Sequence, residues 1–127
     1  MMFCLPMLAF TQTSKDVTFI VDMRDNTSSY TTVHLNGDFN SWCGTCNPMS
    51  DADGDSVWTV TLPLSVDSME YKFTLDGWTG QENLTSGTAC TKTTGAFTNR
   101  FAVLSNDTIL DGVAWESCDA KAGKVYM

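Results

Sequence analysis

Two tryptophans and two polar residues of this chain have the types and spacing of a surface for a sugar ring. Trp42 closes the turn Asn36-Gly37-Asp38-Phe39-Asn40-Ser41-Trp42, and Trp78 follows the turn Asp76-Gly77. A pyranose presents patches of C–H groups that stack on flat aromatic faces, while its hydroxyls need fixed donors and acceptors at the ring edge. Neither tryptophan falls on the buried face of a predicted strand, so both are free for stacking. Lys72 projects from the outer face of the strand leading to Trp78, and Asn99 stands near the start of a later strand. The four can meet on one sheet edge. A tryptophan in a turn often serves only to anchor it, and a lysine on a strand is by itself only a polar face. The combination carries the signal. Trp58 and Trp115 sit in apolar strands and read as packing residues.

The elements that would position these groups are short strands. Val17, Phe19, Val21 and Met23 alternate with Thr18, Ile20 and Asp22, which predicts a strand with one apolar face. Thr31 to Asn36 turns Val33 and Leu35 inward, and Trp58, Val60 and Leu62 alternate with Thr59 and Thr61 up to Pro63, where the strand is expected to stop. Met69, Tyr71, Phe73 and Leu75 alternate with Glu70, Lys72 and Thr74 in the clearest strand of the chain. Thr79 to Thr94 reads as a polar, irregular loop pinned by Cys90. Phe97 to Leu104 is a strand with Phe101 and Val103 inward, and Ile109 to Trp115 is the last. At least six strands without a helical run predict an all-β fold, a sandwich of two antiparallel sheets.

The chain has 127 residues, enough for one domain and too few for two. Its 7 Lys and Arg against 15 Asp and Glu leave a net charge of -8, which repels phosphate backbones and anionic lipid; nucleic acid is excluded as a partner class. The apolar run Met1 to Phe10, followed abruptly by Thr11 to Asp16, reads as a signal-peptide remnant or a disordered tail over residues 1–13, leaving a single sandwich domain over residues 14–127. The run is too short to span a bilayer as a transmembrane segment. Cys4 would then be lost, and Cys43, Cys46, Cys90 and Cys118 form an even set in an exported chain, secreted, periplasmic or at the cell surface. A small Cys43–Cys46 loop and a long Cys90–Cys118 staple suit the spacing; the crossed pairings stay open. Cys43-Gly44-Thr45-Cys46 also fits a redox motif, but no helix follows to lower the first thiol's pKa.

The series Asn36-Gly37-Asp38-Phe39-Asn40-Ser41-Trp42, Val57-Trp58-Thr59-Val60, Glu70-Tyr71-Lys72-Phe73, Asp76-Gly77-Trp78 and Thr98-Asn99-Arg100 resembles the starch- and glycogen-binding early-set immunoglobulin-like modules, over roughly Val17 to Val103. The resemblance implies an immunoglobulin-like sandwich in which Trp42 and Trp78 stack on glucose rings while Lys72 and Asn99 hydrogen-bond their hydroxyls. It implies non-catalytic binding of a glucose polymer, an α-glucan such as starch or glycogen, with no cofactor required. The polymer-binding module would serve a larger secreted or cell-surface glycan-processing system. This chain departs from the pattern by adding Cys43-Gly44-Thr45-Cys46 after the first tryptophan and a longer loop with Gln81, Glu82 and Cys90 after the second. Glu82 is placed with the glycan-binding groups on that ground.

Three other readings complete the sequence. Asp51, Asp53 and Asp55 alternate in a tight loop, a spacing that could wrap oxygens around a structural calcium, against the plainer alternative of an Asp- and Gly-rich hairpin turn. His34, the sole histidine, lies between Val33 and Leu35 and reads as a strand residue without a metal role. A glycosidase needs two carboxylates across a cleft; Glu82 is the best acid on offer, yet most acidic residues sit in turns, and a binding module is expected rather than an enzyme. The competing function is a structural or adhesive sandwich making protein contacts. Ring geometry separates the two: coplanar, exposed rings favour glycan binding, and rings that face apart or are both buried favour adhesion.

Overall fold

The computed structural model describes residues 13–121. The signal-like stretch and Cys4 therefore lie outside the described residues, except for Thr13. One sheet holds β1 (Lys15–Asp22), β3 (Val57–Leu64), β8 (Thr108–Ile109) and β9 (Val113–Ala114); the other holds β2 (Val33–Gly37), β4 (Ser68–Leu75), β5 (Gly80–Gln81), β6 (Thr91–Thr94) and β7 (Phe97–Val103). The second sheet runs β2-β4-β7-β6, with β5 paired to the end of β4. Among the described residues there is no α-helix, only a short 3-10 turn at Asp38–Asn40. The fold is an all-β, early-set immunoglobulin-like sandwich.

Alternation puts the core where the sequence reading expects it. Val17, Phe19 and Val21 of β1 face Val33 and Leu35 of β2 and Met69, Tyr71, Phe73 and Leu75 of β4, all buried. Phe19 meets the Tyr71 ring edge-on, 5.2 Å between centroids. Trp58 and Trp115 pack against this core, as expected.

Four local expectations are corrected. β3 continues through Pro63 to Leu64, because it is an edge strand whose one strand partner is β1, its other side carrying a lone bridge from Thr59 to Ser50, and the missing N–H of an edge residue need not interrupt a ladder. The expected final strand is two two-residue strands, and both pair with β1 in parallel, at Val17–Thr18 and at Val21–Asp22. The Thr79 to Thr94 loop contains β5 and β6. On β7 the phase is inverted: Phe101 stands opposite Glu70 on the outer face, Val103 is 74% exposed, and Arg100 and Ala102 point inward. The inward position goes to Arg100 because Glu82 is buried there to neutralise it.

Candidate functional site

The outer face of the second sheet gathers the polar residues. Cα partners across a ladder share a face, so Asn36 opposite Lys72, Glu70 opposite Phe101, Thr74 opposite Gln81 and Lys92 opposite Asn99 all lie on it. A cleft of about 500 Å³ opens there. Its floor is Glu70, Lys72 and Asn99; Trp42, Trp78 and Gln81 line it as well, with Thr94 and Phe97 contributed by the β6–β7 hairpin. All four residues first singled out come together.

The two indoles form one bent surface. Their centroids are 6.3 Å apart with 40° between planes, and Trp78 Nε1 donates to the Trp42 carbonyl at 3.1 Å. They are neither coplanar nor turned apart: Trp42 is half-buried and Trp78 is 42% exposed. The first turn is held by Asn40, which accepts from Gly37 N and donates to Leu35 O and Asn47 Oδ1. Ser41 and Trp42 both adopt positive φ, 55° and 56°, a region that non-glycine residues enter at a cost of about 1 kcal/mol or more each. The second turn has Asp76 and Gly77 at φ 48° and 74°. The Asp76 carboxylate accepts from Thr31 and Thr32 N–H, and Gly77 N donates to His34 Nδ1 at 3.1 Å. His34 is thus a buried strand residue engaged in holding the Trp78 turn.

Lys72 is mostly buried, and its Nζ donates to Gln81 Oε1 at 3.3 Å. Burial pushes its ammonium pKa below the usual lysine range, an effect opposed by the Glu82 charge. Asn99 Nδ2 donates to Glu70 Oε1 at 3.3 Å.

Glu82 is not a member of this site. It is 1% exposed and points into the core, where Oε1 accepts from Phe73 N (2.9 Å) and Arg100 Nε (3.0 Å), and Oε2 accepts from Arg100 Nη2 and Glu116 N. A carboxylate so engaged has nothing to offer a glycan and no access as an acid. Its neighbour Gln81 faces the cleft instead. Glu70, Thr94 and Phe97 are further lining residues that sequence reasoning passed over. Strand parity could have found two of them: Phe97 shares its face with Asn99, and Glu70 with Lys72.

Both expected disulfides are formed, Cys43–Cys46 and Cys90–Cys118. The second joins the turn before β6 to the C-terminal segment, and Arg100 Nη1 donates to Ser117 O beside it. In the Asp51 to Asp55 loop, one carboxylate oxygen from each of Asp51, Asp53 and Asp55 lies within 4.8 Å of the others. Those carboxylates also accept the loop's own amides, from Asp55, Ser56 and Val57, which is the bonding of a hairpin turn.

An indole pair over a polar floor is a surface on which a sugar ring can stack. Residues 27–87 match the family profile described as carbohydrate-binding module 48 (isoamylase N-terminal domain), which bears out over that stretch the resemblance read from the sequence. The fold is also similar to that in a structure of Hormoconis resinae glucoamylase, with a TM-score of 0.55 over 88% of this chain at 15% identity. The chain spans 18% of that glucoamylase chain. No curated protein matches it in sequence. The disulfides fit an oxidising, extracellular setting, and no helix among the described residues is long and apolar enough to cross a membrane.

Proposed function

We propose that the outer-face cleft binds a curved, α-linked glucose polymer without cleaving it. The observation that carries this reading is the bent indole pair directly beside Lys72 and Asn99. An α-1,4-linked glucan curves along its length, whereas a β-1,4 chain runs as a flat ribbon; two faces meeting at 40° follow the curved one. One ring stacks on each indole, and hydroxyls reach Lys72 Nζ and the Asn99 amide. Phe97, 70% exposed at the opposite rim, closes the cleft against the side of the chain, and Gln81 and Glu70 supply further polar contacts. Affinity is weak, because each polar contact replaces one made to water. The module would bring a larger secreted or cell-surface glycan-processing system to its polymer.

Affinity electrophoresis in gels containing glycogen, starch, laminarin or xyloglucan tests the reading. Retardation is expected in glycogen and starch, and its loss in the Trp42→Ala/Trp78→Ala double variant. Absence of retardation in every gel would leave the structural or adhesive reading in its place, since the same exposed rings suit protein contacts.

A further inference from the structure

We infer that the Cys43–Cys46 ring is a positioning device for Trp78, with Asn36 and Gly44 as its positioning residues. The inference rests on the glucan reading above and assigns a purpose to the segment this chain adds after Trp42. One contact anchors that ring on the sheet, and two more seat the second tryptophan and its turn against it.

The first lies beneath it. Asn36 is fully buried, and its side chain grips both backbone groups of one residue: Gly44 N donates to Oδ1 at 2.6 Å, and Nδ2 donates to Gly44 O at 3.0 Å. Nδ2 also donates to Thr74 Oγ1 at 2.8 Å, so the grip is itself anchored on β4. With donor and acceptor both held, the Gly44 backbone has one orientation. The second contact follows from what Gly44 lacks. Its φ is +93°, and a Cβ built there would lie 3.2 Å from Trp78 Cδ1 and 3.5 Å from Nε1. The bare glycine backbone therefore forms the wall against which the edge of the indole rests. The third is between the turns: a Cβ on Gly77 would stand 3.1 Å from Thr45 Cγ2, so the residue before Trp78 packs on the residue after Gly44.

The disulfide closes this arrangement covalently, with its Cα atoms 5.8 Å apart. Asn36 fixes the middle of the ring, and the sulfur bridge fixes its ends. On one side the ring continues from Trp42, whose carbonyl accepts a hydrogen bond from Trp78 Nε1; on the other it abuts the Trp78 indole. The angle between the two indoles is thereby set before any ligand arrives, which removes the ordering cost from binding.

Gly44→Ala and the Cys43→Ser/Cys46→Ser pair test this, with Gly87→Ala as the control. Gly87 also has positive φ, +82°, but nothing lies within 4 Å of its built Cβ, so its substitution reproduces the backbone strain without touching an indole. Glycogen affinity is read from gel retardation, and the geometry of the indole pair from its exciton couplet in circular dichroism. Gly44→Ala and the serine pair should each weaken binding roughly tenfold and alter the couplet, in protein that still melts cooperatively, while Gly87→Ala leaves both unchanged. The serine pair adds no bulk near Trp78, so it decides the matter even if Gly44→Ala fails to fold. Wild-type affinity and an unchanged couplet in the serine pair would overturn the inference. Failure of the wild type to be retarded would sink the glucan reading instead, and the couplet would still show whether the ring sets the pose of Trp78.

Discussion

On its inner face the second sheet buries Arg100 against Glu82, each 1% exposed; one residue away along the same strands, Asn99 and Gln81 stand in the cleft of the outer face. The two faces treat polar groups differently. Inside, the guanidinium donates to both Glu82 oxygens, to Ser117 O and to Ala114 O, and stacks over the Phe73 ring at 5.2 Å. Glu82 in turn takes the N–H groups of Phe73 and Glu116. Outside, Lys72 has one side-chain bond, to Gln81, and Asn99 one, to Glu70, although an ammonium carries three donors and an amide two donors and an acceptor. Saturated groups hold a fold together, and groups with spare capacity beside an aromatic surface are the ones the proposed binding would use.

Breaking the inner network should have the largest effect. Glu82→Ala leaves the Arg100 charge buried without its partner, at a cost of roughly 3 to 5 kcal/mol, and it loosens the C-terminal segment from β5 and β7. Chemical denaturation measures it, and a loss under about 1 kcal/mol would show that the pair is not structural. Glu82→Gln separates this role from chemistry. Glycan hydrolysis by the wild type, abolished in Glu82→Gln with binding intact, would make the protein an enzyme.

Tyr71, also on the inner face, gives the next effect through pH. Burial raises its phenol from 10.0 to about 12. Between those values the unfolded chain has released this proton and the folded chain retains it, so the unfolded state binds fewer protons and stability falls as pH rises. The contribution is complete below pH 10.0 and lost by about 12, roughly 2 to 3 kcal/mol in all. Denaturation midpoints across this range check it, and Tyr71→Phe should flatten the decline. An equal decline in Tyr71→Phe would assign it to other groups.

The outer face should respond in binding and not in stability. Phe97 is 70% exposed at the cleft rim, so Phe97→Ala should weaken glycogen retardation roughly fivefold, about the size of one aromatic contact, and leave Tm nearly unchanged. A fall in Tm without a change in retardation would move Phe97 from the ligand to the hairpin. Affinity should also decline at alkaline pH, starting below the usual lysine range, as the Lys72 ammonium loses its proton.

What was legible in the sequence follows the length of the alternation. β4 has eight residues, and its Met69, Tyr71, Phe73, Leu75 phase fixes Lys72 outward without ambiguity. Strand β5 has two, too few to say whether Gln81 or Glu82 faces out. β7 misled because Phe101 and Val103 are apolar and Arg100 is not. The inward arginine makes sense only with Glu82, 18 residues earlier; that pairing becomes visible only once β5 is laid on β4. The indole pair was legible as two exposed turns, but its contact and tilt depend on the 3-10 turn and the Cys43–Cys46 ring, which no periodicity encodes. The C-terminal strands read as one, Ile109 to Trp115, for a similar reason: two residues each carry no alternation to mark the break between them.

The Asp51 to Asp55 loop sharpens the comparison at its smallest scale, since its carboxylates are hydrogen-bonded while Asp53 and Asp55 stay exposed. Asp53 has its pKa raised, chiefly by sharing a hydrogen bond with Asp55, while Asp55 is lowered, chiefly by the Val57 N–H it accepts. Three carboxylates fall short of the 6 to 8 oxygens that calcium takes, so backbone carbonyls and water would complete the shell and affinity would be weak. With a Kd near 10⁻³ M, calcium at about that concentration should add roughly 0.4 kcal/mol, and tenfold more calcium about 1.4 kcal/mol. Thermal melts in calcium and in chelator read this directly, and Asp53→Asn should abolish the gain. As pH falls, Asp53 takes up its proton before Asp55 does, so the calcium gain should fade while Asp55 is still ionised. Superimposable melts in calcium and chelator would leave the loop as a hairpin turn held by its own amides.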